Sequence, residues 1–115
     1  MSNNIVKIAN ALSVTATGIG AAVRLGKTPL LGGHGREGIL MLDAAVGGSG
    51  VVAIQGHPSR EAKEPTEGDS GWATLVTLNA SSARVQEIKD LPGWIRPNVT
   101  TTGTGTVTVS LQGVQ

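Results

Sequence analysis

The sequence predicts an all-β domain, an antiparallel β-sandwich or jelly roll of about eight short strands. Short apolar runs alternate with Gly-, Ser- and Thr-rich turns along nearly the whole chain, which contains 17 glycines. Thr and Val dominate the second half, and β-branched side chains suit a pleated, half-buried surface. The chain has no Phe, no Tyr and two Trp, so Val, Leu, Ile and Ala must fill the core.

The length of 115 residues is that of one domain. We expect residues 1–10 to form an N-terminal arm or a first strand, and residues 11–115 to form a single β-sandwich. Four strands are predicted in the first half, at 12–16, 21–25, 39–45 and 51–55. The last two flank a short Gly-rich turn, which predicts that they pair as a hairpin.

The second half contains further predicted strands at 72–78, 94–100 and 104–112. The last of these alternates cleanly, with Val107, Val109 and Leu111 on one face against Thr and Ser on the other. Pro97 indicates that strand 94–100 lies at an edge or carries a bulge. Residues 82–91 fit either an edge strand or a single helical turn.

Residues 57–71 (HPSREAKEPTEGDSG), called the charged loop below, differ in composition from the rest of the chain. They contain six charged side chains, two prolines and no large apolar residue. This composition predicts an exposed loop inserted between two strands. The loop is either a solvated surface or an acidic contact for a neighbouring subunit.

Two segments resemble the motifs of a nucleotide-binding site. Residues 21–28 (AAVRLGKT) fit a permissive phosphate-binding loop, and residues 39–43 (ILMLD) end on Asp43 as a Walker B strand would. A phosphate-binding loop needs a helix directly after it, and the glycines at 32, 33 and 35 disfavour one there. Asp43 also follows too soon for a parallel crossover. We therefore predict no nucleotide binding.

Other catalytic or ligand-binding patterns are absent from the sequence. His34 and His57 lie in Gly- or Pro-flanked turns with no Cys and no clustered carboxylates, so we expect solvated histidines and no metal or cofactor. The formal net charge is +1 with no basic block, which disfavours nucleic acid as a partner. No apolar run is long enough to cross a bilayer, and no signal peptide is visible, so we expect a soluble protein made in a cytoplasm.

Residues 51–113 resemble capsid decoration (cement) proteins and related head or tail accessory proteins of tailed bacteriophages. The resemblance lies in VVAIQG, the acidic turn EGDSG, the strand WATLVTLNA and the closing LPGWIRPNVTTTGTGTVTVSLQG. The chain departs from that pattern in its charged loop, where a tight turn is usual. The resemblance implies a non-enzymatic virion protein on the capsid exterior, a homotrimer that binds the major capsid protein.

For this role, we expect partner contacts from the N-terminal segment and from the charged loop. The expected contact residues are Ile5, Val6, Lys7, Ile8, Arg60, Glu61, Lys63, Glu64, Glu67 and Asp69. The alternative is a binding module of a phage tail or fibre that recognises a host-surface glycan. That alternative depends on Trp72 and Trp94. Otherwise, we expect these two side chains to fill the core or to cap the end of a sheet.

Overall fold

The structure is a computed structural model that describes residues 5–25 and 37–114. The predicted fold class is confirmed: two antiparallel sheets pack against each other, and the described residues form no helix. No membrane-spanning helix is found in these two ranges. The strands are β1 (Ile5–Ser13), β2 (Gly18–Ile19), β3 (Val23–Arg24), β4 (Glu37–Leu42), β5 (Val51–His57), β6 (Ala73–Leu78), β7 (Val85–Ile88), β8 (Trp94–Thr101) and β9 (Thr106–Val114).

The first sheet has the strand order β1-β9-β4-β7, and the second has the order β2-β8-β5-β6, with β3 also paired to β8. The core between them is aliphatic, as the composition predicts. Val107, Val109 and Leu111 of β9 are completely buried, which confirms the predicted apolar face of this strand. Burial of these side chains is the main favourable contribution to folding.

The predicted hairpin of residues 39–45 and 51–55 is wrong. β4 pairs with β7 and β9 in the first sheet, whereas β5 pairs with β6 and β8 in the second. The intervening turn crosses between the sheets, and the Gly50 N–H donates to the carbonyl of Gly47. Gly47 also forms a bridge to Thr104, whose backbone leaves no room for a side chain on Gly47. The glycines therefore allow the chain to cross from one sheet to the other, and they do not form a hairpin turn.

Pro97 does not mark an edge strand, but the predicted bulge is present in β8: Val51 and Val52 of β5 pair with Thr101 and Val99, which leaves Thr100 as the extra residue. β8 lies inside the second sheet, with β5 on one side and β2 and β3 on the other. Gly20 donates its N–H to the carbonyl of Pro97, at the point where the neighbouring strand is interrupted between β2 and β3. In an antiparallel ladder the N–H and the C=O of one residue point toward the same neighbouring strand. The nitrogen of Pro97, which carries no hydrogen, therefore faces the interruption between β2 and β3, as its carbonyl does. Gly20 lies against the Pro97 ring, since an added Cβ would be 2.7 Å from its Cγ, so the absence of a side chain on Gly20 makes room for the proline.

The other strand predictions differ mainly at their ends. The predicted strand 72–78 is β6, and the ambiguous segment 82–91 contains β7, an edge strand of the first sheet. The predicted strand 12–16 is wrong in extent, because β1 begins at Ile5 and ends at Ser13. The predicted strand 21–25 shortens to β3.

The fold separates the two segments that resemble nucleotide-binding motifs. β3, which contains part of the first motif, lies in the second sheet, and β4, which precedes Asp43, lies in the first. The Asp43 carboxylate accepts the N–H of Thr108 at 2.9 Å and so caps the end of β4. The glycines at 32, 33 and 35 lie outside the described residues. A phosphate-binding loop and its Walker B strand belong to one parallel sheet, whereas here both sheets are antiparallel and the two segments lie in different ones.

Ala11 adopts a left-handed backbone conformation with φ of 53°, at a bulge where two residues of β1 face Thr108. A Cβ atom destabilises this conformation, and glycine lacks it. We expect Ala11→Gly to raise the free energy of unfolding by up to about 1 kcal/mol, measured by urea denaturation. Ala45→Gly, in an exposed loop with negative φ, should instead lower it by about 0.5–1 kcal/mol. An equal decrease in the free energy of unfolding in both variants would contradict the backbone strain at Ala11.

Candidate partner-contact surface

The charged loop connects β5 to β6 at one end of the second sheet. Its charged side chains are exposed: Arg60, Glu61, Lys63, Glu64, Glu67 and Asp69. Two of them are cationic and four are anionic, so the loop presents a net negative surface in a chain of net charge +1. All six belong to the contact residues expected from the sequence, and the structure places them on one continuous loop.

The backbone at the start of the loop is held by donors from two strands beneath it. The indole N–H of Trp94, the first residue of β8, donates to the carbonyl of Glu61 at 3.1 Å. Arg24 of β3 donates from Nη2 to the carbonyl of Arg60 at 3.0 Å. Trp94 is only 6% exposed, so its single polar atom needs this partner. These bonds use the carbonyls of Arg60 and Glu61 and do not involve the charged side chains of the loop.

Arg96 holds the end of the loop. Its Nη1 donates to the carbonyl of Glu67 at 3.1 Å, and its Nε donates to Oε1 of Gln55 at 2.8 Å. The guanidinium carbon lies 3.9 Å from the centre of the Trp72 ring, a cation–π contact. Trp72 in turn donates its indole N–H to the carbonyl of Thr66 at 2.9 Å. The loop thus closes over a buried arginine and an indole.

Arg96 remains a cation in this setting, although it is 5% exposed. Burial lowers the pKa of Arg96 below its ordinary value, and the negative charges of Glu67 and Glu64 oppose that shift. Arginine is not deprotonated in proteins near neutral pH. Glu64 and Glu67 therefore compensate part of the cost of burying this charge.

His57 is not the solvated loop histidine that its sequence context predicts. It is the last residue of β5, it is buried, and its ring packs edge-to-face on Trp72 with centroids 5.2 Å apart. Its Nδ1 accepts the N–H of Ser59, and its Nε2 lies 2.9 Å from Oδ1 of Asp69. In the neutral ring the proton is therefore on Nε2, which donates to Asp69. His34 lies outside the described residues.

The His57–Asp69 pair has the composition of part of a catalytic triad but lacks the required geometry. In a triad, the nitrogen opposite the carboxylate accepts a proton from a nucleophile. Here that nitrogen accepts a backbone N–H, at 3.1 Å from Ser59. Both ring nitrogens are occupied by bonds that shape the loop, so the pair positions residues and is not arranged for proton transfer.

Asp69 is expected to make the loop sensitive to acid. The Gly71 N–H, and then the hydrogen bond to His57, lower the pKa of Asp69 below its ordinary value of 3.8. A lowered pKa in the folded state means that the carboxylate stabilises the fold above its ordinary pKa. That contribution is lost as the pH falls through the lowered value.

We therefore expect the difference in free energy of unfolding between the protein and Asp69→Asn to stay constant above about pH 5 and to shrink in stronger acid. Urea unfolding of both proteins across this pH range measures the difference. Asp43→Asn serves as a control, because that carboxylate caps a strand in the other sheet. A difference that grows as the pH falls would contradict the role given to Asp69.

The N-terminal contact residues expected from the sequence lie in β1, an edge strand of the first sheet. Ile5 is 49% exposed, Lys7 is exposed and Val6 is half-buried. Ile8 is 4% exposed and belongs to the core, so its side chain is unavailable to a partner. The charged loop lies at the end of the other sheet, so the expected contact residues form two separate surfaces.

Two open cavities adjoin the charged loop. The larger, about 700 Å³, is called the groove below and is lined by Gly56, Pro58, Arg60, Gly71, Ala73, Leu75, Asp90, Leu91 and Pro92. The smaller, about 310 Å³, is polar and is lined by residues of the loop itself. Across residues 5–25 and 37–114, no group of three acidic, His or Cys side chains is placed to hold a metal ion.

Sequence reasoning missed the residues that hold the loop and those that line the groove. Arg96 lies in an apolar strand between Ile95 and Pro97, and a lone arginine in such a run is a signal that it has buried partners. Leu75, Leu91 and their neighbours gave no signal, because isolated aliphatic residues are expected in any strand or connection.

Comparison of the chain with protein-family models, with curated proteins and with solved structures gives no match. Function is therefore inferred from the chain's own residues and geometry.

Proposed function

We propose that the chain is a non-enzymatic structural virion protein, a decoration protein that binds the major capsid protein on the outside of the capsid. The observation that carries this proposal is the construction of the charged loop. Its carbonyls are held by Trp72, Trp94, Arg24 and Arg96, while its charged side chains stay exposed. A loop whose backbone is already ordered loses less conformational entropy when it binds a partner.

The charge of the loop indicates the kind of surface it contacts. Four anionic and two cationic side chains favour a neighbouring surface that is mainly basic. Exposed charges at the rim of an interface contribute more to the association rate and to specificity than to affinity. Many copies on a symmetric shell would add such weak contacts through multivalency, in keeping with a homotrimer that spans neighbouring capsid subunits.

A structural role is also supported by how the polar side chains near the loop are used. Both nitrogens of His57 and both indole N–H groups are engaged in bonds that shape the loop. The resemblance of residues 51–113 to decoration proteins points the same way. The virion would thus be the site of action, and no cofactor is proposed.

Co-sedimentation with capsids tests the proposal. Purified protein is incubated with mature shells of the virus whose genome encodes the chain, and the shells are pelleted. We expect the protein in the pellet, with binding that weakens as salt rises. A double variant, Glu61→Lys with Glu64→Lys, should bind less, most clearly at low salt.

Glu87→Lys is the matched control, because Glu87 is an exposed glutamate on β7, outside the charged loop. It should pellet like the unchanged protein. The absence of the unchanged protein from the pellet at low salt would refute the decoration role.

The alternative, a glycan-binding module of a tail or fibre, has less support. Trp94 is buried, and Arg96 covers one face of Trp72, so neither presents the open aromatic surface on which a sugar stacks. This alternative predicts a glycan-array signal that disappears in Trp72→Ala and no affinity for shells.

A further inference from the structure

The groove is an open apolar depression at the β6 edge of the second sheet. Gly56 of β5 lies beneath Leu75 and Pro92, and an added Cβ would lie 2.7 Å from the Pro92 ring. Leu75, on β6, is 38% exposed and lines the groove. The volume of about 700 Å³ is ample, since an apolar cavity of about 150 Å³ already holds a benzene-sized group.

The edge strand beside the groove lacks the usual protection against pairing. β6 (Ala73–Leu78) has the sequence ATLVTL, with no charge and no proline. Natural proteins commonly place Lys or Pro on such an edge to keep other chains away. The β7 edge of the first sheet carries Glu87, and β1 carries Lys7. β6 is therefore the uncharged edge among these strands.

The opposite side of the sandwich presents exposed aliphatic side chains. β1 and β2 end the two sheets on that side, because β1 contacts β8, the neighbour of β2. Ile5 of β1 is 49% exposed, and Ile19 of β2 is 37% exposed. The molecule thus has an apolar depression at one edge and protruding aliphatic groups at the other.

We propose that the groove of one copy binds the β1 edge of a second copy, with Ile5 of the second copy inserted beside Leu75. Charge supports this occupant. Arg60 and Asp90 are the charged residues that line the groove, and Lys7, which lies two residues after Ile5 on the same face of β1, is the cation available to pair with Asp90. Neither Lys7 nor Asp90 has an ion-pair partner among residues 5–25 and 37–114. Docking Ile5 in the groove would bring these opposite charges together.

This contact joins two different surfaces, so it is head-to-tail. Head-to-tail contacts form closed rings when the rotation between copies allows it, and a rotation of one third of a turn gives a trimer. The inference rests on the proposed function in one respect: the contact would be the structural basis of the homotrimer. Self-association is measured without shells, so its outcome and that of the co-sedimentation experiment are independent.

Native mass spectrometry and sedimentation velocity of the purified protein test the contact. We expect an oligomer larger than a dimer for the unchanged protein. Ile5→Asp removes the inserted group and Leu75→Asp fills the groove with charge, so each variant should associate at least tenfold more weakly. Val85→Asp is the matched control on β7, where Val85 is 64% exposed, and should leave association unchanged.

Mixing the two variants distinguishes this contact from any symmetric one. The Ile5→Asp protein keeps an intact groove, and the Leu75→Asp protein keeps an intact Ile5. The mixture should therefore form a heterodimer with one copy of each and nothing larger. A variant that merely unfolds could not do this, and thermal melts of each variant check its folding.

A charge exchange provides a second readout. Lys7→Glu and Asp90→Lys should each weaken association, and the two changes together in one chain should restore it relative to Asp90→Lys alone. An unchanged protein that stays monomeric, a symmetric dimer, or mixed variants that remain separate would each overturn the proposal.

Discussion

Replacing Arg96 by methionine is expected to lower the free energy of unfolding by about 2–4 kcal/mol and to release the charged loop. The guanidinium donates to Gln55 and to the carbonyl of Glu67, and it covers the Trp72 ring. Methionine keeps the apolar stem of the side chain but leaves those two acceptors unpaired. Because a lost partner in a buried site costs more than the bond itself contributes, the effect should be large.

Urea denaturation measures the stability of this variant, and limited trypsin digestion measures the release of the loop. Cleavage after Arg60 and Lys63 should become faster in Arg96→Met, since proteolysis needs an unfolded segment. Arg84→Met is the control, because Arg84 is exposed and its side chain forms none of these contacts. A loop that stays resistant in Arg96→Met would show that the other anchors suffice.

Replacing Gly93 by alanine is expected to destabilise the protein by about 3 kcal/mol or more. An added Cβ at this position would overlap the backbone carbonyl of Ser59. Gly93 also donates its N–H to the carbonyl of His57 and accepts the N–H of Leu25. The backbone of Ser59 cannot move away without breaking the start of the charged loop. The steric overlap between the added Cβ and the Ser59 carbonyl would therefore remain as strain in the folded state.

Gly68→Ala provides the matched control. Gly68 lies in the charged loop, as Ser59 does, and no atom comes within 4 Å of the position of an added Cβ. Thermal and urea unfolding should give a much lower stability for Gly93→Ala than for Gly68→Ala. The stability of Gly68→Ala should be close to that of the unchanged protein. Similar stability for both variants would mean that the approach of Ser59 to Gly93 is not tight in solution.

Local alternation was enough to predict the strands with a single clear pattern. The apolar face of β9 follows from side chains that alternate within one segment, and the position of β6 follows from a run of Thr, Leu and Val. The pairing of strands could not be predicted from local patterns. β4 and β5 are close in sequence and flank a glycine turn, yet each joins a different sheet. Pairing depends on burial across the whole molecule, which no short window contains.

The candidate site illustrates the same limit. Composition was sufficient to identify an exposed, charged insertion with its two cations and four anions. Its anchors were not predictable, because Trp94, Arg24 and Arg96 bond to carbonyls 29 to 36 residues away in sequence. His57 was expected in solvent, since its neighbours resemble a turn, but packing against Trp72 buries it.

The sequence by itself determined the class of this fold, its aliphatic core and its charged loop. Those features depend on residue type and on spacing along the chain, and glycine and β-branched residues act locally. Only the tertiary structure decided which strands pair, what holds the loop, and where the groove and Ile5 lie. These features come from contacts between residues distant in sequence, whose free energies exist only when both sides are present.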